Sequence, residues 1–470
     1  MPPNSHAMRS ALSAPAFRGR RPTRSGDLAV ESHGIAPIGL DQRYGNPARL
    51  FTVWFAPQVN MTGVFTGTLA ITLGLGFWLG FLAMVIGTVL GSLVVAYLST
   101  WGPRTGAGQL PNSRMAFGDG VILPASLQWL SSIAWDGLVG LFGADALSVL
   151  LGIPFWVAVL IVLAVQGVVG FFGYEVIHRL QAVLTVVLFI TFVVFAIKLV
   201  GGHQVLVPAE LGGGVLAGAF VLEVTVALSL AISWASYASD FSRYLPATSS
   251  RFAVFGFTFA GIVSAYVFVQ GIGIAAAPML SEQTSEGVRS VMGGGVLGAL
   301  ALLIIALAAA GSAAMNDYSG SLALQTIGIR VRRPVSALVV TALAFVLILW
   351  LHAGDMSSKF TDVLLLVSYW IPGLVAITVI DWLIRTRGRP TINPAEEHTE
   401  RADAAAALIA FIVAYAAAVP FMKTSLVEGP VARVWHGADT AYFVAFLVAA
   451  TLYGGYRMIR RRRANALTGR

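Results

Sequence analysis

Between Ile232 and Pro246 the chain carries Ser233, Ser236, Ser239 and Ser242 together with Trp234 and Asp240. This stretch, joined by Ser229, follows an apolar run, residues 215–231, that by itself makes most of a membrane-spanning helix. In hydrocarbon each unsatisfied polar group costs several kcal/mol, so a serine-rich, charge-bearing segment at that depth lines a protein cavity rather than facing lipid. It reads as half of a substrate site. Three further carboxyl groups, Asp136, Glu223 and Asp317, also fall inside apolar runs, where charged side chains mark ion, proton or substrate paths. Thiolate chemistry and disulfides are excluded because the chain has no cysteine, and none of its 7 histidines stands in a zinc-ligand spacing such as H-E-x-x-H. No clustered nucleophile, metal triad or cofactor motif interrupts the apolar runs, so an enzyme is not expected.

The elements that must position these groups are membrane helices. Of 470 residues, 57% are hydrophobic and 11% charged, with mean hydropathy +0.79; a soluble domain has roughly a quarter of its residues charged. The apolar runs are of helix length, not the ~10-residue alternating strands of an outer-membrane barrel, which makes the fold class all-α and polytopic. The formal net charge of +8 does not point to nucleic acid, because the basic residues are spread among short loops.

Residues 1–45, rich in Arg, Pro and Ser, read as a disordered cytoplasmic tail without a signal-peptide core. Twelve spans follow, near 51–73, 76–99, 122–150, 153–173, 181–200, 215–241, 251–278, 295–326, 335–351, 359–384, 404–423 and 439–458. With both termini cytoplasmic, 25 of the 30 basic residues lie on the inner side, leaving Lys198, Arg289, Lys359, Lys423 and Arg433 outside. The positive-inside rule selects that orientation in the inner membrane, and it requires an even number of spans. Trp78, Trp101, Trp350, Trp382 and Trp435 fall near span ends as interfacial anchors. Trp135 and Trp234 lie at least two turns inside, where an indole N–H needs a partner or a cavity.

The first span contains Pro57, Asn60 and Gly63 in close succession. Pro57 removes a backbone donor and Gly63 weakens the helix beyond it, so an interruption near mid-membrane is expected. The sixth span carries its polar interruption at residues 229–239. Two halves of five spans, each opening on an interrupted helix, are the sequence pointer to an inverted-repeat secondary transporter.

Several motifs then resemble one family. Gly34-Ile35-Ala36-Pro37-Ile38, Arg43-Tyr44-Gly45, Trp54-Phe55-Ala56 and Gly102-Pro103-Arg104-Thr105-Gly106 are similar to those of the purine-cytosine permeases. So are the Ser239-Asp240-Phe241-Ser242-Arg243-Tyr244-Leu245-Pro246 segment, Asn316-Asp317-Tyr318-Ser319-Gly320 and Ser368-Tyr369-Trp370-Ile371-Pro372. The resemblance to this nucleobase-cation symport family covers about residues 31–390. It implies a LeuT-like 5+5 inverted repeat of ten helices over residues 46–384, two extra helices and a basic cytoplasmic tail over 385–470, and alternating access. It further implies that Trp135 and Trp234 stack on a substrate ring while Asn60, the Ser233 backbone and Asn316 supply polar contacts. A flat heteroaromatic ring is well held between two indoles, each stack contributing on the order of 1 kcal/mol.

Two features depart from the family pattern. Val139 stands one turn after Trp135, where relatives often carry Gln or Asn. At the sodium site of the sodium-coupled relatives, the first-span carbonyls of Ala56 and Val59 would face Ala310 and Gly311 in place of a Ser-Thr pair, with Ser312 only adjacent. Two lost hydroxyls argue against sodium, the only metal the resemblance suggests, and for a proton; Asp136, Asp317 and Glu223 are the coupling candidates. Asp240, three residues before Arg243, reads instead as a gate-closing pair. Gly273, Gly311 and residues 308–310 read as close-packing surfaces. The expected function is import of a nucleobase, cytosine or a purine, by proton symport with no cofactor. The alternatives are a hydantoin, allantoin or uracil carrier, sodium-driven or not, and a ligand sensor on the same scaffold. The sequence leaves the oligomeric state open.

Overall fold

The computed structural model describes residues 34–468, except 173, 204, 281–283, 329–332, 388 and 390. The first 33 residues of the expected tail, and Arg330 and Arg332 of the orientation argument, lie outside the described residues. In order, the helices are α1 (Arg49–Phe55), α2 (Met61–Thr72), α3 (Gly76–Ser99), α4 (Gly102–Thr105), α5 (Gln109–Phe117) and α6 (Ile122–Leu151). Then come α7 (Phe155–Phe172), α8 (Tyr174–Gly202), α9 (Gly213–Ile232), α10 (Arg251–Leu280), α11 (Thr284–Val291) and α12 (Gly295–Ile327). The chain ends with α13 (Arg333–His352), α14 (Met356–Leu366), α15 (Ile371–Arg385), α16 (Arg401–Ala418), α17 (Pro430–Val434) and α18 (Ala441–Thr468). Among the described residues, β pairing is confined to one isolated bridge between Lys423 and Glu428.

Eight helical stretches are long and apolar enough to cross a bilayer. The other four expected spans fall on shorter apolar helices: Met61–Thr72, Phe155–Val168, Val186–Gly202 and Val339–His352. The most buried stretches are Met356–Arg385, over 78% of its apolar window, and Gln109–Leu151 and Gly213–Tyr237, each over 72%. Arg401–Phe421 and Ala441–Arg463, buried over only 28% and 22%, lie at the periphery.

The most extensive helix pairings are α6 with α12, α3 with α9, and α2 with α10. In span numbers these are 3 with 8, 2 with 6, and 1 with 7. Shifting by five spans turns 3–8 into itself and exchanges 2–6 with 1–7, as a 5+5 repeat demands. Both exchanged interfaces depend on glycine. A Cβ on Gly67 would sit 2.1 Å from the Gln270 carbonyl and one on Gly273 1.9 Å from that of Val64, across α2 and α10. One on Gly87 would sit 2.2 Å from the Val224 carbonyl, across α3 and α9. Only a hydrogen side chain lets the backbones approach so closely. Gly273 thus does what its position in the sequence suggested.

Three helices are interrupted. After α1 the chain tightens into a 3₁₀ turn, Ala56–Gln58, passes through extended Asn60 (φ −143°, ψ 172°) and restarts as α2. Asn60 is the N-cap of that restart, its Oδ1 accepting the Gly63 N–H at 2.9 Å, a standard satisfaction of an orphan helix donor. The sixth span ends as a helix at Ile232 and continues as a 3₁₀ segment, Ser233–Tyr237, before a series of turns. Both interruptions lie where the sequence placed them. The third separates α14 from α15, which the sequence reading joined as one span over 359–384. Pro372, in the first turn of α15, has no N–H to continue the ladder from Ser368.

Part of the expected tail is ordered. Residues 34–46 are docked: the Ile38 N–H donates to the Gly106 carbonyl at 2.9 Å, the Tyr44 N–H to that of Tyr244 at 2.7 Å, and Arg43 Nη1 to that of Pro103 at 2.7 Å. Ile38 is 1% exposed. The polar composition that suggested disorder stops short of this apolar anchor.

Candidate functional site

The two mid-membrane breaks are joined by side chains. Trp234, in the 3₁₀ segment after α9, donates its indole N–H to the Tyr266 hydroxyl of α10 at 2.9 Å. Tyr266 in turn donates to Gln58 Oε1 at 2.6 Å, in the turn between α1 and α2. The Trp234 ring packs edge-on against Trp54 of α1, centroids 5.7 Å apart at 88°, and lies 5.5 Å from the Tyr237 ring. A bond chain of indole, phenol and amide therefore fixes the orientation of Trp234. Trp135 of α6 is likewise buried and belongs to the same apolar core.

Within that core several polar atoms lack a hydrogen-bond partner: Gln58 Nε2, both amide atoms of Gln128, Asp136 Oδ2 and the Tyr237 hydroxyl. Buried polar groups are nearly always paired with protein, water or ligand. Of these, Gln58 and Tyr237 lie in the two helix breaks themselves, where a polar, donor- and acceptor-bearing solute could pair with them.

Asn60 is held locally. Besides capping α2, its Nδ2 donates to the Pro57 carbonyl at 2.5 Å and lies 3.5 Å from the Ser312 hydroxyl of α12. Ser312 Oγ also donates to Pro57 O, at 3.0 Å. The bend after α1 is thus pinned directly to α12, beside Ala56 and Val59. Ser233 turns its hydroxyl back onto the Leu230 carbonyl at 2.9 Å.

Asp136, Asn316 and Asp317 come together between α6 and α12. Asn316 Nδ2 reaches Asp136 Oδ1 at 3.4 Å, and Gln166 Nε2 of α7 donates to Asp317 Oδ2 at 3.0 Å. Asn316 and Gln166 thus tie Asp136 and Asp317 into the seam of α6, α7 and α12, with Asp136 Oδ2 left without a hydrogen-bond partner. Glu223 stands apart on α9, fully buried, and neither of its oxygens has a partner. Among the described residues no group of three His, Cys, Asp or Glu side chains could hold a metal ion.

Asp240 and Arg243 serve at one end of the site. Asp240 Oδ1 accepts the Gln109 N–H at 2.8 Å and its Oδ2 the Ser319 hydroxyl at 2.7 Å. Fully buried Arg243 donates to the Gly34 carbonyl at 2.8 Å. These bonds tie the chain after Tyr237 to α5, α12 and the docked residues 34–46, partners at longer range than the i, i+3 spacing of Asp240 and Arg243 suggested.

The sequence reading passed over Gln58, Tyr266 and Gln166. Gln58 adjoins Pro57 in the break itself, and Gln166 is the only strongly polar residue in 155–168; both signals were legible. Tyr266 carries no local mark.

Residues 37–448 match the family of permeases for cytosine/purines, uracil, thiamine and allantoin. The chain belongs to this nucleobase-cation symport family. The permease is 26% identical over 440 residues to YxlA of Bacillus subtilis (strain 168), provisionally named a purine-cytosine permease, covering 91% of this chain and 95% of that one. It is also 26% identical over 384 residues to the purine-cytosine permease fcyB of Emericella nidulans, covering 77% and 75%. Among solved structures it is similar to Mhp1, a nucleobase-cation-symport-1 family transporter, in a closed conformation with bromovinylhydantoin bound. The TM-score is 0.73 at 19% identity, over 92% of the permease and 97% of Mhp1. At that identity the likeness shows the fold alone, an all-α, LeuT-like, multi-pass fold.

Proposed function

We propose that the permease imports a nucleobase, cytosine or a purine, by proton symport, its breaks at residues 56–60 and 233–237 forming the two halves of the binding site. The observation that carries this reading is the bonded chain from Trp234 through Tyr266 to Gln58, which couples the break of one repeat to that of the other. Trp234 and Trp135 hold the ring faces. Gln58, through its unbonded Nε2, and Asn316 address the ring edge. Asn60 acts by positioning, since its amide is committed to the α2 cap, and Ser233 contributes backbone groups.

The proton sits on the Asp136–Asp317 pair. Asn316 bonds to Asp136, so a base that engages the Asn316 amide changes the setting of the shared proton; this is a direct route from binding to coupling. Glu223 is a second carrier, placed towards the outer mouth on α9. A sodium ion beside Ala56 and Val59 would gain no side-chain oxygen from Ala310 or Gly311, while Ser312 and Asn60 already bridge to Pro57. Sodium needs several oxygen ligands, so the residues there favour the proton. Residues 46–384 form the ten-helix core, with the peripheral α16 and α18 as the two added spans of twelve. Both termini face the cytoplasm of a cell membrane, and the bonds of Asp240 and Arg243 close that side.

Thermal melting of the purified permease against purines, pyrimidines and hydantoins tests the substrate class. A ligand at 100 times its Kd stabilises the bound state by about 2.7 kcal/mol. Cytosine or a purine is expected to raise Tm most; a rise with hydantoins or allantoin alone would move the substrate to the other branch of the family.

A further inference from the structure

A cavity of about 430 Å³ opens where the outer ends of α6 and α13 meet α11 and the start of α14. That volume lies within the usual range for small-molecule sites. Asp145 lies ten residues beyond Trp135 on α6, about 15 Å along the helix. Between the two, Phe142 packs with Phe65 of α2 and Phe360 of α14, centroids 4.9 to 5.8 Å apart and all three rings buried. Phe142 also lines the cavity, so its ring, backed by those of Phe65 and Phe360, forms an apolar part of the cavity floor.

The polar lining has one chemical bias. Asp145, Glu286 and Asp355 contribute carboxylates, Glu286 in an ion pair with Arg289 at 3.9 Å, and among the described residues no Lys or Arg lines the cavity itself. Asp145 Oδ2 accepts the Ser285 N–H at 3.1 Å and Asp355 Oδ1 the Ser358 N–H at 3.1 Å; each carboxylate has a further oxygen with which to accept. Hydrogen bonds from Ser358 hold the Asp355 carboxyl below its ordinary value, so it stays ionised. Ser285, 2% exposed, lines the same cavity with a hydroxyl that has no partner. An acceptor-rich wall over an apolar aromatic floor suits a flat ring whose edge carries N–H donors.

We propose that this cavity is an outer capture site that binds an amino-bearing nucleobase, an aminopyrimidine or aminopurine, before it passes the Phe65–Phe142–Phe360 floor. The inference rests on the nucleobase reading above. Its test is the concentration dependence of cytosine and uracil uptake into proteoliposomes holding the wild-type permease, Asp145→Asn or Ser285→Ala.

Asp145→Asn keeps an acceptor for the Ser285 N–H and removes the charge. It is expected to raise the KM for cytosine about tenfold, as loss of one charge-assisted hydrogen bond does, at unchanged maximal rate. Uracil, which has no exocyclic amine, is expected to shift much less. Ser285→Ala removes an unpartnered hydroxyl and so leaves the melting temperature unchanged while raising the cytosine KM several-fold. Wild-type KM values for cytosine in both variants, or equal shifts for cytosine and uracil, would overturn the capture site while uptake itself continued. A wild-type permease that takes up no base would instead remove the nucleobase reading, and this inference with it.

Discussion

Asp317→Asn is expected to leave the permease able to bind and exchange a nucleobase but unable to concentrate it. A pH gradient of one unit is worth about 1.4 kcal/mol per proton, enough for tenfold accumulation when one proton accompanies each base. In the proposed mechanism the proton is carried by Asp136 and Asp317, which are bonded to Asn316 and Gln166 respectively. An asparagine at 317 still offers an oxygen to Gln166 and an amide N–H to Asp136, so the packing between α6, α7 and α12 is retained. What it removes is the group proposed to bind and release the proton. Accumulation driven by a pH gradient should therefore fall to a ratio of one, while counterflow exchange of labelled for unlabelled base continues. An Asp317→Asn permease that still concentrates base with wild-type pH dependence would take the pair out of the coupling path.

Trp234→Ala is expected to abolish measurable uptake with membrane insertion intact. Loss of a buried aromatic anchor at the centre of a contact costs about 2–4 kcal/mol, roughly 30- to 1,000-fold in affinity. The side chain has two tasks, a stacking face and the N–H that orients Tyr266 and through it Gln58. Trp234→Phe separates them, keeping an aromatic face and losing the hydrogen bond. It should bind base more weakly than wild type and more tightly than Trp234→Ala. Equal, near-wild-type binding in both variants, measured by equilibrium dialysis, would move the ring site elsewhere.

Local chemistry made the first two breaks readable. Pro57 and Gly63 interrupt one apolar run, while Ser229 to Ser242 make the other too polar to continue as a lipid-facing helix. The break between α14 and α15 escaped because its one local signal, Pro372, sits inside an otherwise unbroken apolar pattern, and membrane helices tolerate proline. The bonded chain through the site was hidden for another reason. Tyr266 meets Gln58 across 208 positions, and Gln166 meets Asp317 across 151; no periodicity encodes such meetings. Asp240 and Arg243 show the limit of the i, i+3 rule, since the fold offers Asp240 a backbone N–H from Gln109 and a hydroxyl from Ser319. Asn60 was legible as polar and important, but its work as an N-cap appears only when the helix restarts one residue later.

The most direct measurement is uptake of labelled cytosine, adenine and hypoxanthine into proteoliposomes under separately imposed pH and sodium gradients. At least one of these bases should accumulate when the side of entry is acidic, with sodium absent from both sides, and should dissipate when a protonophore is added. Accumulation that requires a sodium gradient and ignores pH would contradict the assignment of the cargo proton to Asp136 and Asp317.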